Sequence, residues 1–482
     1  MQVYDLNHDV LNAILGWVAQ IDMLHLAETC RQAYDVFMPR FISNVTFLSG
    51  PAGKKSLSLP SIPSRSYLIP FSVARVAQES PRNSALQVAH FCTFVLRGNK
   101  ERCRSLWMKE LTICYKVFDS KWCSRYSLHL LSDVLIHAAN LTKLTICNVE
   151  DLVQLHRPLA SVLAALPLLN DITFNGVRSR MLGVLSKMTS RPRRLRLDCC
   201  LGPTKQFLQH FNGTLEVLSL CQISEHLLDM LFASEWESVR ELSLSLCAVD
   251  LDLESRAFSH VHVVSLGPNM FYHASEDLVY WKTLDRLVLP SLRETHPLGP
   301  VRRVDVLSCF DYLEGPDTKD PVTLLTQLSP VVFCCRVWRS SLSFYPVLAK
   351  TLHSLRYLDL TIKTEGKQYW DNVDGPSEEK LLEHVRAHVD RVCSCRFALT
   401  GMRIRVDAWD CERVTADVLL RMALHAARIL ISLNYIGVGG ISTNWATWYR
   451  VWSHDGEQPV LEALPARDAV KVERELLDTQ RS

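Results

Sequence analysis

A chain of 482 residues with 48% hydrophobic and 22% charged side chains has a foldable composition, not a disordered one. Its 53 Lys plus Arg against 51 Asp plus Glu leave a formal charge of +2, which argues against nucleic-acid binding through bulk charge. Its 18 glycines, about half the usual share of roughly 7%, exclude collagen-like and Gly-rich chains.

Residues 5–38 read as three short helices. Asn7 caps the first, Asp9 sits in its first turn, and Val10, Leu11, Ile14, Leu15 and Val18 fall on one stripe. Asp22 caps the second, with Ile21 and Leu26 as a hydrophobic staple. Thr29 and Gln32 form a capping-box pattern for the third. Its apolar face is Cys30, Ala33, Tyr34 and Phe37, and Pro39 is expected to end it. A unit this small buries little apolar surface, so the stripe suggests a docking surface as well as a core.

These residues resemble the F-box motif. The likeness is carried by Leu6-Asn7-His8-Asp9-Val10-Leu11, Ile14-Leu15, Asp22-Met23-Leu24-His25-Leu26-Ala27, Thr29-Cys30-Arg31 and Tyr34, with Asn7 where the family usually has Pro. The resemblance implies a Skp-family adaptor as partner and, through it, a cullin–RING ubiquitin ligase. The implied adaptor contacts are Leu6, Asn7, Val10, Leu11, Ile14, Leu15 and Leu24, apolar anchors of a helix-in-groove interface.

The Ser/Pro/Lys stretch from Gly50 to Ser66 reads as a linker, within 46–83. A helix is expected over Ser84–Leu96. Then short strands recur with apolar residues at i, i+3, i+5 and i+8, among them Cys103/Leu106/Met108/Leu111, Leu141/Leu144/Ile146/Val149 and Leu215/Leu218/Leu220/Ile223. Their second anchors from Leu144 onward (Ile172, Leu195, Leu218, Leu242, Val264, Leu287, Val304) lie about 17–28 residues apart, near the leucine-rich range of about 20–29. Weaker copies end at Leu358/Leu360. Helices are expected at Asp151–Leu166, Ser377–Val392 and Thr415–Leu430, and shorter ones after caps Ser224 and Ser275. The pattern resembles a leucine-rich-repeat protein with degenerate repeats over 84–435. The fold class expected is α/β: an N-terminal three-helix F-box followed by a curved leucine-rich-repeat solenoid. Lys363–Pro376 reads as an exposed loop. Tyr435, Trp445, Trp448, Tyr449 and Trp452 read as an aromatic end cap within 436–482, followed after His454 by a polar tail.

No Gly-rich phosphate loop, nucleophile elbow or HExxH occurs, and Gly437-Val438-Gly439-Gly440 reads as a turn. His384, His388, Cys393 and Cys395 have metal-ligand types, but Val385 and Val389 make that helix face apolar, so no metal is expected. Cys199-Cys200 and Cys334-Cys335 are assigned to packing, and Arg191-Pro192-Arg193-Arg194 to a solvated surface. Leu159–Leu169 is far shorter than the ~20 residues that span a bilayer, so no membrane segment is expected. Asp5, His8 and Asp9 stand where a secretion signal needs a basic then an apolar segment. The 16 cysteines therefore read as reduced thiols of a cytoplasmic or nuclear protein.

Strand residues between the apolar anchors point to the opposite, solvent face. The candidate target-binding residues are Arg194, Arg196, Asp198, Glu241, Arg286, Arg303 and Asp305, with Lys143 and Asp171 nearby. The expectation is a non-catalytic receptor with no cofactor, no nucleic acid and no membrane, binding the adaptor and a protein target. The alternative is a leucine-rich scaffold acting outside any ubiquitin ligase.

Overall fold

A strand of four or five residues with two apolar side chains on one face cannot stand alone, and within each unit such strands are paired side by side. The structure, a computed structural model, describes residues 25–47, 81–97, 104–114, 121–198, 208–223, 231, 233–246, 248–250, 256–267, 271–273, 281, 283–292, 299–310, 319–338, 341–363, 378–407, 415–440, 446–452 and 458–479. The chain divides into two units, Met1–Val239 and Arg240–Ser482. Both are mixed α/β.

The first unit runs α1 (Arg31–Ser43), β1 (Asn44–Phe47), α2 (Pro81–Leu96), β2 (Glu110–Ile113), α3 (Lys121–His137), β3 (Lys143–Ile146), α4 (Val149–Leu155), α5 (Pro158–Ala165), β4 (Asp171–Asn175), α6 (Ser179–Leu185), β5 (Arg194–Asp198) and β6 (Val217–Cys221). Its strands are parallel and lie in chain order. Val45, Leu111, Leu144, Ile172, Leu195 and Leu218 are paired across them in one row, and Phe47, Ile113, Ile146, Phe174, Leu197 and Leu220 in a second. All of these side chains are buried. Burying each contributes about 1.5–3 kcal/mol. A one-residue slip would turn both rows to water, so burial sets the register. The helices stack in sequence too: α2 on α3, α3 on α5, and α4 and α5 on α6.

Two local devices shape the turns between these elements. The chain turns left-handed two residues after an inner anchor, at Asn148, Gly176 and Gln222, and again in the second unit at Leu246. Asn and Gly suit that conformation, whereas Leu246 there costs about 1 kcal/mol. Glu150 of α4 supplies the second device. Its buried carboxylate accepts the backbone N–H groups of Arg178, Arg180 and Met181 at 3.0–3.2 Å, around the start of α6. It satisfies donors that a helix N-terminus leaves unpaired and places negative charge at the positive end of the dipole.

The second unit runs β7 (Glu241–Ser245), β8 (Ala248–Asp250), β9 (Val263–Leu266), β10 (Phe271–His273), β11 (Arg286–Leu289), β12 (Arg303–Phe310), α7 (Lys319–Leu328), β13 (Val332–Trp338), α8 (Phe344–Thr351), β14 (Tyr357–Lys363), α9 (Glu378–Ser394), β15 (Gly401–Asp407), α10 (Ala416–Ile429), β16 (Tyr435–Gly440), β17 (Thr447–Trp452), β18 (Val460–Ala463) and α11 (Ala466–Leu477). β8 and β10 form a separate parallel pair. The other strands lie in chain order, parallel as far as β16, with β17 and β18 antiparallel. Leu242, Val264, Leu287, Val304, Phe333, Leu358, Met402 and Ile436 form one buried row. Among the described residues, no helix is long and apolar enough to cross a membrane.

Several sequence expectations change. The helix of residues 31–43 passes through Pro39, because buried Phe41 and Ile42 hold its last turn against the core. Cys30, whose Sγ accepts from the Ala33 N–H at 3.4 Å, caps it instead of Thr29. The first repeat is shifted: Arg104–Trp107 is a 3-10 turn that leaves Leu106 exposed, and the anchors are Met108, Leu111 and Ile113. Asp151–Leu166 is two helices, since Pro158 starts a new one. Gly437–Gly440 belongs to β16, not a turn; an added Cβ on Gly437 would lie 2.8 Å from the Trp448 ring. The stretch after His454 contains β18 and α11. The first of the three expected N-terminal helices, residues 22–24 of the second, the 50–66 linker, the 364–376 loop, Cys199-Cys200, Trp445 and caps Ser224 and Ser275 lie outside the described residues; residues 25–27 are helical, with Ala27 buried and Leu26 exposed.

Glu150→Ala is expected to lower the unfolding free energy by about 2 kcal/mol, the scale of losing hydrogen bonds to a charged acceptor. Urea denaturation checks this. A change below about 0.5 kcal/mol, typical of a neutral surface site, would contradict it.

Candidate target-binding face

Side chains alternate along a strand, so residues between the buried anchors share the other face. In the first unit this face is polar. Glu110, Lys143, Asp171 and Arg194 are paired in register and alternate in sign, with Lys143 Nζ 3.8 Å from Glu110. The next row is Thr112, Thr145, Thr173, Arg196 and Ser219, hydroxyls around one guanidinium. Arg194 is exposed, and Arg196 and Asp198 are half-buried. Thus β5 brings three of the candidate residues together. Of the basic run beside them, Arg193 pairs with Glu216 at 3.5 Å and Arg191 contacts His210. Those contacts are solvent-exposed and contribute little.

In the second unit Glu241 is exposed, but the other candidates are not free surface. Asp305 is buried and clamped: Arg286 Nε donates to it at 2.6 Å, and Arg303 donates through Nε at 2.9 Å and Nη2 at 3.1 Å. Burial raises the Asp305 carboxyl, but the charges of Arg303 and Arg286 outweigh it and hold it below its ordinary 3.8. The expectation of a solvent position therefore fails for Asp305, because two guanidinium groups close over it. Arg286 stays half-exposed and Arg303 mostly covered.

The register continues from Asp305 through Cys334, Asp359 and Arg403 to Gly437. Arg405 grips Asp359 in a two-pronged pair at 3.1 and 3.0 Å. Arg403 lies 3.9 Å from Asp359 and is hydrogen-bonded to Glu473 of α11. Burial lowers the Arg403 guanidinium, and the charges of Asp359 and Glu473 raise it overall. Arg302 holds Asp285 with two bonds of 2.6 Å. The hydrogen bond from Arg302 holds the Asp285 carboxyl below its usual value against its partial burial.

Asp359, Arg403, Arg405 and Glu473 were absent from the sequence candidates. The alternation Leu358-Asp359-Leu360 and Met402-Arg403-Ile404-Arg405 carried the signal for the first three. Glu473 had none, since only the fold brings α11 to the sheet. There Ala469, Val472 and Leu476 pack on Val332, Cys334, Tyr357 and Trp448.

The metal-like set has other partners. His388 is buried and its Nδ1 pairs with the Tyr345 hydroxyl at 2.8 Å. Cys393 Sγ donates to the Ile429 carbonyl and Cys395 Sγ to that of Tyr345. Among the described residues, no three His, Cys, Asp or Glu side chains are grouped to hold a metal ion. Burial pushes the thiol of Cys92 up to about 12 and that of Cys334 well above its usual value. The hydrogen bond with Cys147, then burial, does the same for Cys114. Such thiols hold their protons, and the thiolate is the nucleophile.

No protein-family model matches the chain, and no curated protein matches it.

Two measurements follow from these groups. Asp305→Ala leaves two guanidinium groups unpaired and is expected to cost about 3 kcal/mol, against about 1 kcal/mol or less for Arg286→Ala at the half-exposed end. Equal losses in urea titrations would contradict the clamp. Burial, then the neighbouring His384, lowers the His388 imidazole from 6.5 to about 4. The unfolded chain takes up that proton below pH 6.5 and the folded chain does not until about pH 4, so stability falls as pH falls through this window. The loss is on the order of 3 kcal/mol. His388→Phe should flatten the pH 4–6.5 stability profile; an unchanged slope would contradict the assignment.

Proposed function

We propose that the chain is a non-catalytic substrate receptor of an SCF-type cullin–RING ubiquitin ligase. The F-box, residues 1–45, binds a Skp-family adaptor. Residues 84–435 form a leucine-rich-repeat solenoid, and its outward strand residues hold a protein target. One observation carries the reading: a segment with F-box residues in order precedes parallel strands that follow chain order at leucine-rich spacing. The adaptor contacts Leu6, Asn7, Val10, Leu11, Ile14, Leu15 and Leu24 lie outside the described residues.

A further support comes from the junction. Helix α1 ends at Ser43 and β1 begins at Asn44, with no spacer between the last helix of the motif and the first strand of the sheet. A short, stiff connection suits a receptor that acts by geometry. Holding target lysines near a charged conjugating enzyme turns an encounter in solution into a nearly intramolecular one. No residue of the receptor need make or break a bond. A cytoplasmic or nuclear location belongs to the same reading.

Arg194 is the cleanest probe of the target face because it is exposed and on the strand with Arg196 and Asp198. Arg303 is a poor probe, since it clamps Asp305.

Capture of a purified Skp-family adaptor tests the reading. The wild-type chain is expected to retain it, and Ile14→Asp with Leu15→Asp to abolish retention, since charges would enter an apolar contact. Arg194→Glu should keep the adaptor and weaken target retention. A chain that never retains the adaptor would favour the scaffold alternative.

A further inference from the structure

Helix α11 (Ala466–Leu477) is half charged and buries three apolar side chains at i, i+3 and i+7: Ala469, Val472 and Leu476. These side chains are buried against the outward face of β13–β16, while Val470 is 59% exposed. That face accepts a helix closely. Leu476 sits over Gly401, where an added Cβ would lie 2.5 Å from its Cδ2. Arg403 bonds Glu473 on the helix flank, and Arg302 Nη1 donates to the carbonyls of Leu477 and Thr479 at its C-terminal end. A guanidinium at that end complements any helix, through its free carbonyls and its dipole.

The fit is incomplete. Tyr357 Oη, Trp448 Nε1 and Arg403 Nε lie buried beneath or beside α11 with no hydrogen-bond partner. Tyr357 and Trp448 are 0% and 1% exposed and belong to the cluster that α11 covers. Native structures rarely leave such groups unpaired, and each asks for a reason. α11 offers the face small apolar groups and one carboxylate, and leaves these donors unused.

We propose that the face of β13–β16 is a helix-docking site and that α11 is its displaceable resident. The partner is an amphipathic helix of a target. It repeats the apolar i, i+3, i+7 stripe, places a carboxylate at i+4 opposite Arg403, and adds acceptor side chains for Tyr357 and Trp448. The chain thus holds an internal competitor for its own ligand. The inference deepens the target-binding reading and rests on it. Adaptor capture is independent of it, so either can fail alone.

Amide hydrogen exchange on the full wild-type chain tests the latch. The α11 amides are expected to exchange roughly a hundredfold faster than those of β13–β15, because a displaceable element opens without global unfolding. The second arm uses a fluorescein-labelled synthetic peptide of residues 465–480. The full-length Val472→Asp/Leu476→Asp chain should bind it at least about tenfold more tightly than wild type does, since its resident no longer competes. The same peptide carrying Glu473→Arg should lose binding. α11 amides exchanging in step with the strands would overturn the proposal. So would a double variant that keeps wild-type strand protection yet does not bind the peptide. If that variant fails to fold, the exchange arm decides alone.

Discussion

Everything in this fold depends on apolar rows that no single strand can bury. A unit such as Lys143–Ile146 offers two inward side chains, Leu144 and Ile146, too few to hold a strand against its conformational entropy. Pairing with Glu110–Ile113 on one side and Asp171–Asn175 on the other covers them. The same need repeats at every step. It sets the register, the chain-order topology and the stacking of helices in the same sequence. The left-handed corners at Asn148, Gly176 and Gln222 serve that repeat, turning the chain at a common place so that rows stay aligned.

The outward face obeys a different constraint: polar groups drawn out of water must be paired. The first unit meets it by staying open, with short strands whose hydroxyls and alternating charges remain partly solvated. The second unit lengthens β13, β14 and β15 to seven residues each and covers part of this face with α11. Its charges then need partners, and Asp305, Asp359, Arg303, Arg403 and Arg405 supply them to one another. Exposure and internal pairing therefore divide the candidates. Arg194 is exposed and available to a partner, whereas Asp305 is engaged in holding its own sheet.

The repeat was legible where side chains were large and local. Leu144, Ile172, Leu195, Leu218, Leu242, Val264, Leu287 and Val304 fall in register rows as the spacing implied. The helix expected over Thr415–Leu430 was equally readable: it spans Ala416–Ile429, and the Thr415 side chain caps it by accepting the Val418 N–H. The misses have physical reasons. Met108 and Leu111 were read as anchors but in the wrong phase, and Ile113 was missed, because Leu106 mimics an anchor ahead of Met108. Gly437 looked like a turn because nothing local shows the Trp448 ring that requires a missing Cβ. Helix α11 looked like a polar tail because three small-to-medium apolar residues among many charges suffice once a sheet face is waiting. The burial of Asp305 depends on Arg286 reaching it from a neighbouring strand, a contact that spacing cannot reveal.

The proposed function requires a second polypeptide to cover the apolar residues between positions 6 and 24. Hydrogen exchange on the full chain, alone and in a stoichiometric mixture with a purified Skp-family adaptor, tests it most directly. Added protection is expected to be confined to residues 6–24, with the strands from 110 to 221 unchanged. Residues 6–24 already fully protected in the isolated chain, or unaffected by the adaptor, would contradict it.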